Sequence, residues 1–176
     1  MTKPTKLLTE TERLLKYLEE NLKDKKVDVK HKINDKDELE CLFVQTDYME
    51  EWYNKYGHLM HIDGTYCVMV ENFLLFHTVC QNENLNGVPV AYCFMKNETK
   101  ENLEFFYENL NRKNDRYQKI VMVDKDLSNI QLILHFFNAI ILLCTFHVVK
   151  YLKKKLEKKK LNLLNHYLLQ MQSLET

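Results

Sequence analysis

The amino-acid sequence predicts an α/β domain whose mixed five-stranded sheet comprises three antiparallel strands and then two helix–strand units, preceded by a helical extension. Three runs rich in β-branched and aromatic residues lie close together at residues 59–63, 73–80 and 88–95, so they are expected to pair as an antiparallel meander. Two more apolar runs, at residues 119–123 and 139–143, each follow a helical pattern and must therefore pair in parallel through crossover connections. Glycine and proline number only three and two among 176 residues, which argues against a loop-rich β-sandwich.

Residues 1–38 are predicted to form a helix and a linker ahead of the main domain. Thr9 and Glu12 have the spacing of a capping box, in which each residue satisfies a backbone amide of the other. The leucines that follow share one face of a helix: Leu14, Leu15, Leu18 and Leu22. That face can pack on the main domain or bind a protein partner. Residues 27–38 are polar and mixed in charge, which predicts a linker or a weak strand.

Four helical patterns are predicted within and beyond the main domain. Aromatic residues recur at helical spacing within residues 39–56, and we expect them to line the core: Tyr48, Trp52 and Tyr56. Thr99 is placed to cap a helix over residues 100–113, and another helix is expected over residues 127–137. A final helix begins near Phe146 and continues through a lysine-rich run.

This order of elements is that of a ribonuclease H-like fold, in which the first strand lies mid-sheet beside the fourth. Asp63 ends the first strand and Asp124 ends the fourth, so both carboxylates are expected at one edge of the sheet. Two carboxylates there suit Mg²⁺ or Mn²⁺, and two such ions can activate water and stabilise the leaving oxygen in phosphodiester cleavage. The alternative is that Asp63 and Gly64 form a turn and that Asp124 or Asp126 caps a helix.

Five short motifs occur in register with the predicted strands: Asp63-Gly64-Thr65-Tyr66, Val88-Pro89-Val90-Ala91, Glu98-Thr99, Val123-Asp124-Lys125-Asp126 and Cys144-Thr145-Phe146-His147. Over residues 38–152 they resemble the catalytic domain of Mutator-like element (MULE) transposases. The closer resemblance is to the ribonuclease H-like domain of animal SWIM zinc-finger proteins, which derive from such transposases. This resemblance implies a ribonuclease H-like, transposase-type domain over residues 39–152, ancestrally active in metal-dependent DNA cleavage and strand transfer. It also implies that Asp63 and Asp124 are the metal-binding catalytic acids.

In that family a third acid, a glutamate, follows a long helical insertion. The present sequence reaches Thr176 without such an insertion and without a SWIM zinc motif, so we expect a truncated domain that is inactive alone. Glu157 lies ten residues past His147. That is about 15 Å along a helix, too far to share an ion held at about 2–2.6 Å. The alternatives are a non-catalytic nuclear module that binds DNA or protein, and a degraded transposon fragment without a role.

Five cysteines, an odd number with no C-x-x-C pair, predict reduced intracellular thiols rather than a disulfide framework. Cys144 and His147 offer a thiolate and an imidazole, which raises the question of zinc. A structural zinc site needs about four ligands, and His58 and His61 are the only other nearby candidates by sequence. We therefore predict no zinc site, with Cys144 as a buried strand residue and His147 ordering the start of the adjacent helix.

The net charge is zero, yet residues 150–176 carry seven basic and two acidic side chains, and residues 153–176 are expected to form a basic C-terminal helix. The lysines predicted to contact DNA phosphates, weakly and without sequence preference, are Lys150, Lys153, Lys154, Lys155 and Lys158. The alternative is a solvated helix surface. A DNA partner predicts a nuclear location, with the cytoplasm as the alternative. The apolar residues 132–149 are interrupted by polar side chains, so we predict a buried helix and strand and no membrane partner.

Overall fold

The computed structural model describes residues 9–22, 25–65, 73–112, 118–124 and 126–172, with side chains for all of these but residues 10 and 160–172. Tyr66, Cys67, Lys113 and Lys125 lie outside the described residues. The helices are α1 Glu10–Leu22, α2 Asp47–Tyr56, α3 Lys100–Asn111, α4 Leu127–Phe136 and α5 Thr145–Gln172. The strands are β1 Val27–Ile33, β2 Leu39–Thr46, β3 Leu59–Thr65, β4 Leu74–Gln81, β5 Gly87–Met95, β6 Lys119–Val123 and β7 Ala139–Leu143.

The strands form one sheet in the order β1-β2-β5-β4-β3-β6-β7. β3, β4 and β5 pair as antiparallel neighbours, and β3 pairs in parallel with β6. The first strand of the predicted meander therefore lies mid-sheet beside the fourth predicted strand, which confirms the ribonuclease H-like order expected from the sequence. The bounds of β6 and β7 are those of the predicted runs.

The prediction of five strands was wrong because β1 and β2 extend the sheet to seven strands. β1 alternates valines with charged residues and histidine, a pattern that an edge strand tolerates because only β2 pairs with it. β2 lies directly before the aromatic stripe, in a part of residues 39–56 for which no strand was predicted. Thr46 separates the two elements, because its hydroxyl accepts a hydrogen bond from the Met49 amide at 3.1 Å and caps α2.

Alternate residues of the central strands are buried on one face of the sheet, and helices α2, α3 and α4 contribute side chains to the same core. Phe106 of α3 is fully buried, with ring centroids 6.3 Å from Phe43 of β2 and 5.7 Å from Phe76 of β4. The predicted apolar face of this helix is confirmed, since all four of its residues are buried: Leu103, Phe106, Tyr107 and Leu110. The other face of the central strands carries half-buried side chains.

Two predictions of burial were wrong in part. In α2 the first residue of the aromatic stripe lies outside the core, because Tyr48 is 59% exposed, although its ring centroid is 5.6 Å from that of Trp52. Tyr53, outside the predicted stripe, is buried instead. In β7 only Ala139 and Ile141 pack against the core, while the intervening residues and Leu143 are exposed, as expected for an edge strand with one covered face.

The capping box predicted for α1 is confirmed. The Thr9 amide donates to the Glu12 carboxylate at 2.7 Å, and the Glu12 amide donates to the Thr9 hydroxyl at 3.1 Å. The chain divides into two compact units, Met1–Leu142 and Leu143–Thr176, and α5 forms most of the second. Across the described residues, we find no helix with the length and apolar character needed to span a membrane.

Candidate functional site

The parallel pairing of β3 with β6 brings the two predicted acids to facing positions. The paired residues run from Leu59 opposite Ile120 to His61 opposite Met122. Two residues further along both strands, Asp63 faces Asp124, which directly follows the last residue of β6. Adjacent strands lie about 4.8 Å apart. The two carboxylates therefore start from neighbouring backbone positions on one face of the sheet, with Asp63 half-buried and Asp124 exposed.

Asp63 does not end its strand, contrary to the sequence prediction, and the alternative of a turn at Asp63 and Gly64 was also wrong. β3 continues to Thr65 because β4 pairs alongside it, with Gly64 opposite Phe76 and Thr65 opposite Leu75. Gly64 is needed here for close packing rather than for a turn. A Cβ atom at this position would lie 2.6 Å from the Phe76 ring, which is buried in the core.

Asp126 serves the helix rather than the acid pair, as the sequence indicated. Its carboxylate accepts a hydrogen bond from the Asn129 amide at 2.8 Å and caps α4. Capping fixes the start of this helix two residues after Asp124. Asp124 therefore lies in the short connection between the buried end of β6 and a capped helix, which limits how far its backbone can move.

A cross-strand row of side chains extends from the acids into the centre of the sheet, and sequence reasoning missed it. His77 of β4 is paired directly with Asp63, and Tyr92 of β5 is paired directly with His77. Directly paired residues in antiparallel strands share a face, with Cβ atoms about 4.5–5.5 Å apart. The predicted strand bounds contained both residues. The missing signal was the register across the two strand pairs, which hydrophobic patterning does not specify.

The metal-ligating residue types do not form a larger cluster in the part of the chain that the structure describes. No three His, Cys, Asp or Glu side chains there are grouped so as to hold a metal ion. His61 lies on the same face as Asp63, two residues earlier, and is exposed. In the second unit, Cys144 is half-buried and follows the end of β7, so the prediction of a buried strand residue was wrong. His147 is half-buried, and its Nδ1 atom is buried without a hydrogen-bond partner among the described residues.

The three cysteines that the structure describes in the first unit are core residues rather than nucleophiles. Cys41, Cys80 and Cys93 are free and fully buried. Burial raises the pKa of the Cys80 thiol to about 12, although the Lys119 cation opposes this shift. A hydrogen bond with Cys41 is the main cause that raises the pKa of the Cys93 thiol well above its ordinary value, and burial raises this pKa further. Thiols with raised pKa values stay protonated near neutral pH and are poor nucleophiles and metal ligands.

The lysines predicted to contact DNA lie on α5, and all of them are exposed: Lys150, Lys153, Lys154, Lys155 and Lys158. Two of them lie over aromatic rings of the same helix. The Lys150 amine is 5.9 Å from the Phe146 ring centroid, and the Lys155 amine is 5.4 Å from that of Tyr151. Glu157 is exposed on the same helix. This surface is therefore solvated and strongly basic within the second unit.

A comparison with protein families matches residues 19–143 to the RNaseH-like domain of zinc finger SWIM domain-containing proteins 1 and 3. The chain belongs to this family. The match includes β1, β2 and the whole segment from Asp63 through Asp124, so the sheet and the acid pair lie inside the family domain. Searches of curated proteins and of solved structures gave no significant match.

Proposed function

We propose that this chain is a transposase-derived, ribonuclease H-like domain that binds Mg²⁺ or Mn²⁺ at Asp63 and Asp124 and contacts DNA through α5. The observation that carries the proposal is the β3–β6 register, which sets two carboxylates side by side on neighbouring parallel strands. Family membership supports it, because the family is defined by an RNaseH-like domain. The resemblance to MULE transposases supports the choice of DNA as the substrate class.

The two carboxylates fit a hard divalent cation. Mg²⁺ and Mn²⁺ prefer oxygen ligands, and Mg²⁺ in particular keeps several waters and is bound through one or two carboxylates together with substrate phosphates. Asp63 and Asp124 would hold such an ion, and the ion would supply charge neutralisation to a phosphodiester group at the sheet. Asp63 is anchored within a paired strand, so the site is fixed on one side by the backbone of β3.

This chain alone is proposed to bind DNA without cleaving it. Phosphodiester cleavage in enzymes of this type uses two ions, which stabilise the attacking and the leaving oxygens. Two aspartates hold one ion, and a second ion requires a further carboxylate. The non-catalytic module considered from the sequence is therefore the form of the function that we favour for this chain.

The purified chain is expected to leave supercoiled plasmid intact in the presence of Mn²⁺ or Mg²⁺. The assay follows conversion of supercoiled to open-circular DNA on a gel, with Asp63→Asn and Asp124→Asn as matched variants. Nicking that disappears in both variants would show that two acids suffice, and the non-catalytic proposal would be wrong. Nicking that persists in both variants would indicate a contaminating nuclease.

DNA contact through α5 is proposed from the exposed lysine surface of this helix. Lysines that neutralise phosphates release condensed counterions, so affinity falls with salt by a log–log slope of roughly −0.9 for each phosphate on duplex DNA. Such contacts carry no sequence information, and the binding should therefore be weak and non-specific. Because DNA is the proposed partner, we also propose that this protein is located in the nucleus.

Substituting Lys153, Lys154 and Lys158 together by glutamine should flatten the salt dependence of duplex binding by about 1 to 3 units of slope. Fluorescence anisotropy across a salt series measures this slope. A triple glutamine variant at three exposed lysines of the first unit, at positions 25, 36 and 100, provides the matched control. If the two triple variants change the slope equally, α5 is only a solvated surface.

A protein partner at the N-terminal helix is a second candidate function. It is favoured by an open groove of about 790 Å³, lined by leucines of α1 and by the edge strand β1. The groove-lining apolar residues are Leu15, Leu18, Leu22, Val27 and Val29. The same leucines are half-buried, so the helix already covers part of its apolar face.

A further inference from the structure

The row of cross-strand neighbours that ends at the acids has two chemically different ends. From β1 to β6 it runs through Val29, Val44, Tyr92, His77 and Asp63 and reaches Asp124, and every step as far as Asp63 joins two directly paired residues. One end is apolar and aromatic, and the other carries two carboxylates. Tyr92 and Asp63 are two strands apart, or about 10 Å, with His77 between them.

We propose that Tyr92 is a substrate-positioning residue of the Asp63–Asp124 site, where it stacks on a base of a single-stranded nucleic-acid segment. This inference rests on the proposed function, because it assumes that the phosphate of the nucleotide binds at the ion held by Asp63 and Asp124. It adds the substrate class, which is an unpaired strand rather than an intact duplex. His77 occupies the space between the base and the acids.

The chemistry of the row matches that of a nucleotide. A nucleotide consists of a flat, largely apolar base joined to an anionic phosphate. In the row, the aromatic ring of Tyr92 can contact the base, and the cation site at Asp63 and Asp124 can bind the phosphate. Tyr92 is half-buried, and Phe94, two residues further along β5, faces the same side. Aromatic side chains on the face of a sheet stack on unpaired bases, and this stacking tolerates any base because every base has a π-face.

The preference for single strands follows from where the ring lies. Tyr92 belongs to a central strand, with β2 and β4 paired on either side. A ring that rises from the surface of a sheet cannot reach a base that is stacked inside a duplex. An unpaired strand exposes its bases, so each base can stack on an aromatic ring. Tyr92 should therefore contribute to single-strand binding and have little effect on duplex binding.

The test compares single-stranded and duplex binding of the full chain by fluorescence anisotropy, using labelled 20-nucleotide oligothymidylate and its duplex with oligoadenylate. Tyr92→Ala should weaken single-strand binding about 10-fold and change duplex binding less than 2-fold. Tyr92→Phe, which keeps the ring, should restore the wild-type preference. Tyr17→Ala, at a tyrosine that is 62% exposed on α1, is the matched control.

Tyr92→Leu covers the case in which the alanine variant does not fold, since it keeps an apolar side chain on the strand without the ring. It too should lose single-strand binding. An equal loss for both DNA forms, no loss, or failure of Tyr92→Phe to restore binding would overturn the proposal. All arms are run in EDTA and repeated with Mn²⁺. A Tyr92 effect in EDTA without any Mn²⁺ binding would contradict the metal site and leave the stacking role standing.

Discussion

Replacing Phe106 with alanine is expected to lower the free energy of unfolding by about 3–5 kcal/mol. Phe106 has no exposed surface, and its ring contacts Phe43 of β2, Phe76 of β4 and Tyr107 of the same helix. It is the residue through which α3 packs on two strands of the sheet. Because domains of this size are stable by only about 5–15 kcal/mol, the loss should leave the variant near the threshold of folding.

Urea denaturation followed by far-UV circular dichroism measures this effect. Leu127→Ala is a suitable control, because Leu127 is 70% exposed on α4 and its truncation should change stability by less than about 0.5 kcal/mol. A loss below about 1 kcal/mol for Phe106→Ala would contradict a fully buried ring that packs α3 on two strands of the sheet.

The elements that the sequence predicted well are those with a local signal. β6 and β7 are short apolar runs with polar residues on both sides, and their bounds were predicted without error. The starts of α1, α3 and α4 were also predicted, because capping residues act within three residues. The Thr99 hydroxyl accepts from the Asn102 amide at 3.3 Å, as its position before α3 predicted. Such signals depend on neighbours in sequence and not on the rest of the fold.

The elements that the sequence predicted less well depend on distant partners. β1 carries alternating charges, which left a linker and a weak strand as alternatives, and it is a strand because β2 supplies its hydrogen bonds. Asp63 and Gly64 resemble a turn dipeptide, yet pairing with β4 keeps them extended. Local propensity did not decide the first case and favoured a turn in the second, and tertiary pairing determined both.

The candidate site was predictable only in part for the same reason. The positions of the two acids followed from strand order, which the alternation of strands and helices implies. The placement of His77 beside Asp63 follows from the register between β3 and β4, and that of Tyr92 from the register between β4 and β5. A shift of one residue would move either side chain to the other face of the sheet. Sequence patterning does not fix such a register when both faces carry apolar residues.

Replacing either acid by asparagine should weaken Mn²⁺ binding at least 10-fold, the minimum cost of losing even a supporting residue at a metal site. Asparagine keeps the size of the side chain and removes its charge, so the fold should be unaffected. Asp126→Asn is the matched control. Asp126 lies two residues from Asp124, and its carboxylate accepts from the Asn129 amide, a capping role that asparagine also fills.

The most direct measurement is a Mn²⁺ titration of the full chain followed by the electron paramagnetic resonance signal of the free ion. It is carried out on the wild type, Asp63→Asn, Asp124→Asn, the double variant and Asp126→Asn. We expect one weak site in the wild type, a loss of at least 10-fold in each single variant, no detectable site in the double variant, and wild-type affinity in the control. Unchanged affinity in Asp63→Asn or Asp124→Asn, or an equal loss in Asp126→Asn, would contradict a single ion shared by the two acids.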